Sequence, residues 1–327
     1  MITWTDTGTV AGFRLALIFG SMILGGLAAL ATVVAFFGST WWVFDYLANL
    51  RWYLLWILLV SAVVYALSAK GWMLIILVAA LIANAVVMLP LWTGSQPEST
   101  GEDSLAIVHL DASGGFSNRN QATDWLRESD ADLLLISSGT STIVEQVAQI
   151  DTDWMVLLEP EIENTAGMIV LARTAWEVAV TPTGVGTDTV VRITTDSAGR
   201  VYEIVTAAGP TAASSSDAER LSARLDTIRA ITASATHPVV VVGNLGATRW
   251  TYGMRDLLSN TDLRDATEGK GYLSTTNASR FPVIGGWLGL PLDVVLMTST
   301  ITPIDLKTGP DISAGQLPVS FTVGPTA

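Results

Sequence analysis

Two hydrophobic patterns divide the chain. Up to Trp92, apolar residues run almost unbroken: Leu15 to Gly38, Trp52 to Ala69 and Gly71 to Trp92 each lack a charge. Each run has about the twenty residues that a helix needs to cross a hydrocarbon core. These runs predict three transmembrane helices, about 12–38, 47–69 and 71–92. Trp41, Trp42, Trp52 and Trp92 then cluster at one interface and Trp72 at the other, as amphipathic rings do at headgroup depth. Residues 93–104 are polar and rich in turn formers and read as a tether.

From Leu105 onward, short apolar runs alternate with helical stripes. Strands are expected at Leu105 to Leu110, Leu133 to Ile136, Met155 to Leu158, Met168 to Leu171 and Trp176 to Val180. Further strands are expected at Val190 to Thr194, Val201 to Val205, Val239 to Val242, Asp293 to Met297 and Val319 to Val323. The Ser197-Ala198-Gly199 stretch marks a hairpin turn. Helices are expected over Asn118 to Ser129, Ser141 to Ile150 and about Asp217 to Ala233. The last carries Leu221, Leu225 and Ile228 on its apolar stripe, with Arg220, Arg224 and Asp226 off it. Hairpins mixed with helices imply an α/β sandwich of two packed sheets over 105–327, not a doubly wound sheet.

A composition of 50% hydrophobic and 14% charged residues agrees with a chain partly in lipid. A cleavable signal peptide accounts for the first apolar run but not for the next two. The short loop containing Lys70 and the amino-terminal Arg14 are expected on the cytoplasmic side, with everything after Trp92 outside; Arg51, beside Asp45, votes the other way. Residues 1–103 contribute −2 to a net charge of −13, leaving −11 on the remainder. So acidic a surface repels phosphate backbones, and nucleic acid is not an expected partner. The chain has no cysteine, which excludes disulfides, thiolate nucleophiles and Cys-ligated metals. Ser21, Gly25 and Ala29 form a stripe of small residues on the first span. Packing against the chain's own second and third spans is the expected use of it, with a partner protein as the alternative.

The run Val239-Val240-Val241-Val242-Gly243-Asn244-Leu245-Gly246-Ala247-Thr248-Arg249-Trp250 resembles the signature of the endonuclease/exonuclease/phosphatase superfamily, a strand ending in Gly-Asp-Phe-Asn-Ala-Thr-x-Trp. The likeness extends to membrane-anchored members through Trp41-Trp42-Val43-Phe44-Asp45 and Arg51-Trp52-Tyr53. It continues in Gly167 to Arg173, in Trp250 to Ala266 and in Leu288 to Asp293. The resemblance implies a DNase I-like, four-layer α/β sandwich and metal-dependent phosphoester chemistry.

At the positions to which the family assigns that chemistry, this chain reads otherwise. Asp111 stands for an Asn and Ser138 for the metal-binding Glu; Ala207, in Thr206-Ala207-Ala208, falls at a phosphate-contacting His. Asn244 and Gly246 replace the signature Asp and Asn, while Gly315 and Gln316 replace the closing Asp-His. Asp293 alone survives in kind, at the acid that orients a catalytic His. Ser138 is neutral, Asn244 accepts no proton and Gln316 has no titration near neutral pH. Losing one base or electrostatic donor costs about a hundred- to a ten-thousandfold in rate, so the combined loss predicts an inactive domain.

The expectation is therefore a catalytically inactive membrane protein of a bacterial cytoplasmic membrane. It would serve as an accessory, structural or binding subunit of a membrane assembly, with the bilayer and membrane proteins as partners and no cofactor. The alternative is a divergent outward-facing Mg²⁺-dependent phosphohydrolase, with Asp111, Asp293 and Asn244 as the metal candidates. A third possibility is that the emptied cleft binds a ligand without cleaving it. His109 shares a strand face with Asp111 and is expected as a satisfied core or rim residue. His237, ahead of Pro238, belongs in the helix-to-strand turn far from Asn244.

Overall fold

The computed structural model describes residues 7–68, 71–101, 104–113, 115–116, 119–150, 153–160, 167–183, 188–197, 199–277, 285–313 and 315–327. The chain forms two compact units. One holds the helices up to Pro90 together with Trp250–Tyr252, and the other holds the rest.

The first unit contains α1 (Thr7–Val34), a 3₁₀ turn (Ala35–Phe37), α2 (Trp42–Ala48), α3 (Arg51–Ser68) and α4 (Met73–Met88). Two helical segments are long and apolar enough to cross a membrane, Leu15–Phe37 and Arg51–Ser68. The third expected span is corrected: α4 has only 16 residues, and a separate short helix, α5 (Pro90–Thr93), follows it. Pro90, which has no N–H and crowds the preceding turn, accounts for that interruption. Lys70, on which the orientation rested, lies outside the described residues, as do Glu102 and Asp103 of the tether.

The small-residue stripe is used inside the unit. A Cβ on Gly25 would meet Leu77 Cδ2 of α4 at 2.6 Å and Ser61 Cβ of α3 at 2.8 Å, so the missing side chain lets both helices approach α1. Arg51, Asn84 and Thr32 are buried. Arg51 Nη1 donates to Asn84 Oδ1 (2.9 Å), and Asn84 Nδ2 donates to Thr32 Oγ1 (2.7 Å). The guanidinium carbon of Arg51 also sits 4.4 Å from the Phe36 ring centroid. One polar chain thereby ties α1, α3 and α4 together.

The second unit is a four-layer sandwich. Its strands are β1 (Leu105–Asp111), β2 (Leu133–Ser137), β3 (Met155–Leu158), β4 (Ile169–Ala172), β5 (Glu177–Pro182) and β6 (Thr189–Ser197). They continue with β7 (Arg200–Ala207), β8 (Val239–Asn244), β9 (Leu263–Asp265), β10 (Asp293–Thr298), β11 (Ile301–Thr308) and β12 (Val319–Pro325). The two sheets run β11-β12-β1-β2-β4-β3 and β5-β6-β7-β8-β10-β9. Both are mixed: β1 pairs parallel with β2 and β7 with β8, against antiparallel neighbours. Alternate residues such as Ile107, Leu135, Ile204, Val242, Val295 and Phe321 fill the core between the sheets. The opposite faces pack on α6 (Arg119–Glu128) and α7 (Ser141–Ile150) on one side, and on α8 (Ser215–Ser234) and α9 (Tyr252–Ser259) on the other.

The α8 terminus shows how sequence sets an element. Ser214 takes an extended conformation and its Oγ accepts from Asp217 N, while Asp217 Oδ2 accepts from Ser214 Oγ at 2.7 Å. This cap starts the helix at Ser215. The hairpin turn also stands where it was expected, with Ser197 opposite Arg200 and Gly199 at φ +89°.

Candidate functional site

The strand period of two brings the candidate residues together. In β1, Leu105, Ile107, His109 and Asp111 share one face, and the first two belong to the inter-sheet core. In β8, Val240 and Val242 do the same and carry Asn244 onto that face; in β10, Val295 and Met297 carry Asp293. The pairing of β10 with β8 sets Asp293 opposite Asn244, and that of β1 with β2 sets Asp111 opposite Ser137. Five polar residues, His109, Asp111, Ser137, Asn244 and Asp293, therefore end the inter-sheet core at one edge of the sandwich.

These residues bond chiefly to one another. Asp111 Oδ2 accepts from Asn244 Nδ2 (2.8 Å), joining the two sheets, and Asp111 Oδ1 accepts from Ser113 N (2.9 Å). Asn244 Oδ1 accepts from Gly246 N (3.0 Å), shaping the turn after β8. Gly246 has φ +71°, and a Cβ there would stand 2.3 Å from Pro210 O, so the position admits only glycine without strain.

Deeper in, Asp293 Oδ1 lies 3.0 Å from His109 Nδ1, with both side chains almost fully buried. His109 Nε2 is 3.4 Å from Ser137 Oγ, and Ser137 is buried as well. Thr275 Oγ1 accepts from Asp293 N at 3.0 Å and fixes the start of β10. His109 is thus a core residue, as expected, and its partner is Asp293.

A cleft of about 430 Å³ opens above this layer, lined by Asp111, Ser138, Ala208, Asn244, Gln316 and Arg220, among others. Ser138 takes φ +55°, a left-handed conformation at the exit of β2. Ala207 turns away into the core beneath α8, and its neighbour Ala208 lines the cleft instead. Gly315, at φ +100°, donates its N–H to Asp311 Oδ1 at 2.8 Å and sets up the turn that delivers Gln316. Ala314 beside it lies outside the described residues. His237 lines a different depression, with Pro238 and Val239 at the opposite end of β8.

One cluster in the cleft wall was not foreseen. Asp188 precedes β6 and is 3% exposed, and two arginines of α8 converge on it. Arg220 donates from Nε (3.0 Å) and Nη2 (2.5 Å), and Arg224 donates from Nη1 to Asp188 Oδ2. Arg224 Nη2 also donates to Leu245 O at 3.2 Å, and a Cβ on Gly209 would collide with the guanidinium at 2.1 Å. The hydrogen bond to Asp188 holds the Arg220 guanidinium above its ordinary pKa, while burial lowers that of Arg224 against the opposing pull of Asp188. Arg224, expected off the apolar stripe, is fully buried because this carboxylate pairs it. Two cations one helical turn apart, on the face that Asp217 begins, were the available signal, since like charges at that spacing repel.

Magnesium calls for hard oxygens on one centre. Asp111, Asn244 and Asp293 do not converge as free ligands, because each already engages a protein partner. Among the described residues, no group of three or more His, Cys, Asp or Glu is arranged to hold a metal ion.

With this geometry in view, the comparisons define the class. The Endonuclease/Exonuclease/phosphatase family matches residues 109–315, and the chain belongs to that family. Solved structures similar to the sandwich include a humanized TDP2 from D. rerio, with 11% identity and TM-score 0.55, covering 68% of this chain and 100% of that one. A family member from Bacteroides vulgatus gives 11% identity and TM-score 0.54, covering 68% of this chain and 99% of that one. One from Beutenbergia cavernae gives 12% and 0.51, covering 68% and 72%. At such identities the likeness speaks for the fold alone. No curated protein matches the chain.

Proposed function

We propose that this chain is a membrane-anchored, catalytically inactive member of its family that acts through binding, as an accessory or structural subunit of a membrane assembly. The carrying observation is the inward bonding of the cleft residues: the Asp111 carboxylate accepts from Asn244 Nδ2 and Ser113 N, and Asp293 faces His109. Phosphoester cleavage needs a base toward water and a cation toward the phosphoryl oxygens. Ser138, Asn244 and Gln316 supply neither.

Anchoring is supported by the apolar segments Leu15–Phe37 and Arg51–Ser68 and by the exposed side chains Ile23, Leu24, Leu27, Leu30, Val60 and Ile75. Such a belt is costly in water and favourable in lipid. A bacterial cytoplasmic membrane, with the sandwich on the extracytoplasmic side, belongs to the same proposal.

Purified full-length protein incubated with Mg²⁺ or Mn²⁺ and phosphodiester, nucleotide or lipid-pyrophosphate substrates should show no turnover above buffer. Metal-dependent turnover abolished by Asp111→Ala or Asp293→Ala would replace this reading with that of a divergent phosphohydrolase.

A further inference from the structure

Beside the cleft, two guanidinium groups, Arg220 and Arg224, share the single carboxylate of Asp188. Arg224 is spent, buried on Asp188 and on Leu245 O. Arg220 is not. Its side chain is 31% exposed and its Nε and Nη2 serve Asp188, but a guanidinium has five N–H donors. Its Nη1 edge has no acceptor among the described residues, and Arg220 lines the cleft together with Thr211 and Gln316.

We propose that the cleft binds a carboxylate-bearing ligand, seated on the free edge of the Arg220 guanidinium. This rests on the reading of the domain as a binding module rather than an enzyme. Asp188 already demonstrates the complementarity, since a planar carboxylate meets the planar fork in two hydrogen bonds. Charge selects the class further. Of the charged residues that line the cleft, Arg220 stands against Asp111 and Asp188, a net of −1, so a singly charged carboxylate adds one negative charge where a phosphate dianion adds two. With −11 on residues 104–327 as a whole and no metal cluster among those described, the second charge has nothing to offset it.

Ligand-observed NMR on the full chain in detergent micelles, with acetate, N-acetyl-triglycine and inorganic phosphate as probes, tests this. Saturable binding of a carboxylate probe, tighter than phosphate, is expected. Binding of acetate alone identifies a small acid as the natural ligand, and binding of the tripeptide as well identifies a peptide C-terminus. Arg220→Gln should weaken carboxylate binding about tenfold or more, the loss of a charged hydrogen-bonding partner. Arg220→Lys, which keeps the charge without the fork, should fall between. Neither variant touches buried Arg224, and unchanged thermal melting checks the fold. No carboxylate binding, tighter binding of phosphate, or affinity indifferent to Arg220→Gln overturns the proposal. Phosphoester turnover is scored separately, so an enzyme that binds no carboxylate is told apart from an inactive domain that binds none.

Discussion

Asp293 and His109, 184 positions apart in sequence, meet in the buried layer between the sheets. In the sequence, Asp293 matches an acid that orients a histidine, and no histidine stands where the resemblance places one. In the fold, His109 reaches it from the other sheet at 3.0 Å, inside a core that excludes water. Strand periodicity put His109 on the face of Asp111, but the pairing with a residue so distant in sequence needs the sandwich to exist first. Removing one member leaves a buried polar group without its partner, at about 1–3 kcal/mol. His109→Leu or Asp293→Leu alone should each destabilise the sandwich by about that much. The double substitution should cost less than the sum, a coupling readable in denaturant unfolding as a double-mutant cycle. Gly246→Ala meets a different obstacle, a positive φ and the oxygen of Pro210 at 2.3 Å. It should cost about 1–3 kcal/mol with no change in surface charge.

At the scale of elements, legibility followed burial and interruption. Strands with two buried faces, such as β2 and β8, stood out as unbroken apolar runs. β11 did not, because Pro303, Asp305 and Lys307 break its pattern; it is an edge strand with a register shift between Ile304 and Lys307 and Asp305 at φ +50°. Edge strands tolerate those residues, for one side of the ladder has no neighbour to satisfy. β9 was concealed for another reason: with only three residues, it is too short to show a period. In the helical unit, hydropathy found three apolar runs but not the polar chain from Arg51 through Asn84 to Thr32, since single polar residues barely alter a window average. Asn84→Leu removes both of its side-chain bonds and leaves Arg51 and Thr32 to be resatisfied. A loss of about 1–3 kcal/mol is expected, seen as a lower unfolding midpoint of the helices in detergent. Gly25→Leu should destabilise the same packing by a similar amount through overcrowding against Leu77 and Ser61.

For the whole molecule, the edge at which the two sheets meet is held by side chains of both sheets. In a metal-dependent site, clustered carboxylates repel until a cation arrives, and the folded state gains stability from binding it. Here the cross-sheet contacts at the same edge are made by the protein itself, through Asp111 with Asn244 and Asp293 with His109. A ligand that binds only the native state stabilises it by RT ln(1 + [L]/Kd), which is about 2.7 kcal/mol at a hundredfold excess over Kd. Millimolar Mg²⁺ should therefore leave the thermal midpoint of the sandwich unmoved in the full-length protein, beyond the shift that equal ionic strength of Na⁺ produces. A Mg²⁺-specific rise of several degrees, lost in Asp111→Asn, would mean that Asp111 surrenders its bond from Asn244 to a cation. The inward-bonded network would then be a resting state of a metal site rather than its replacement.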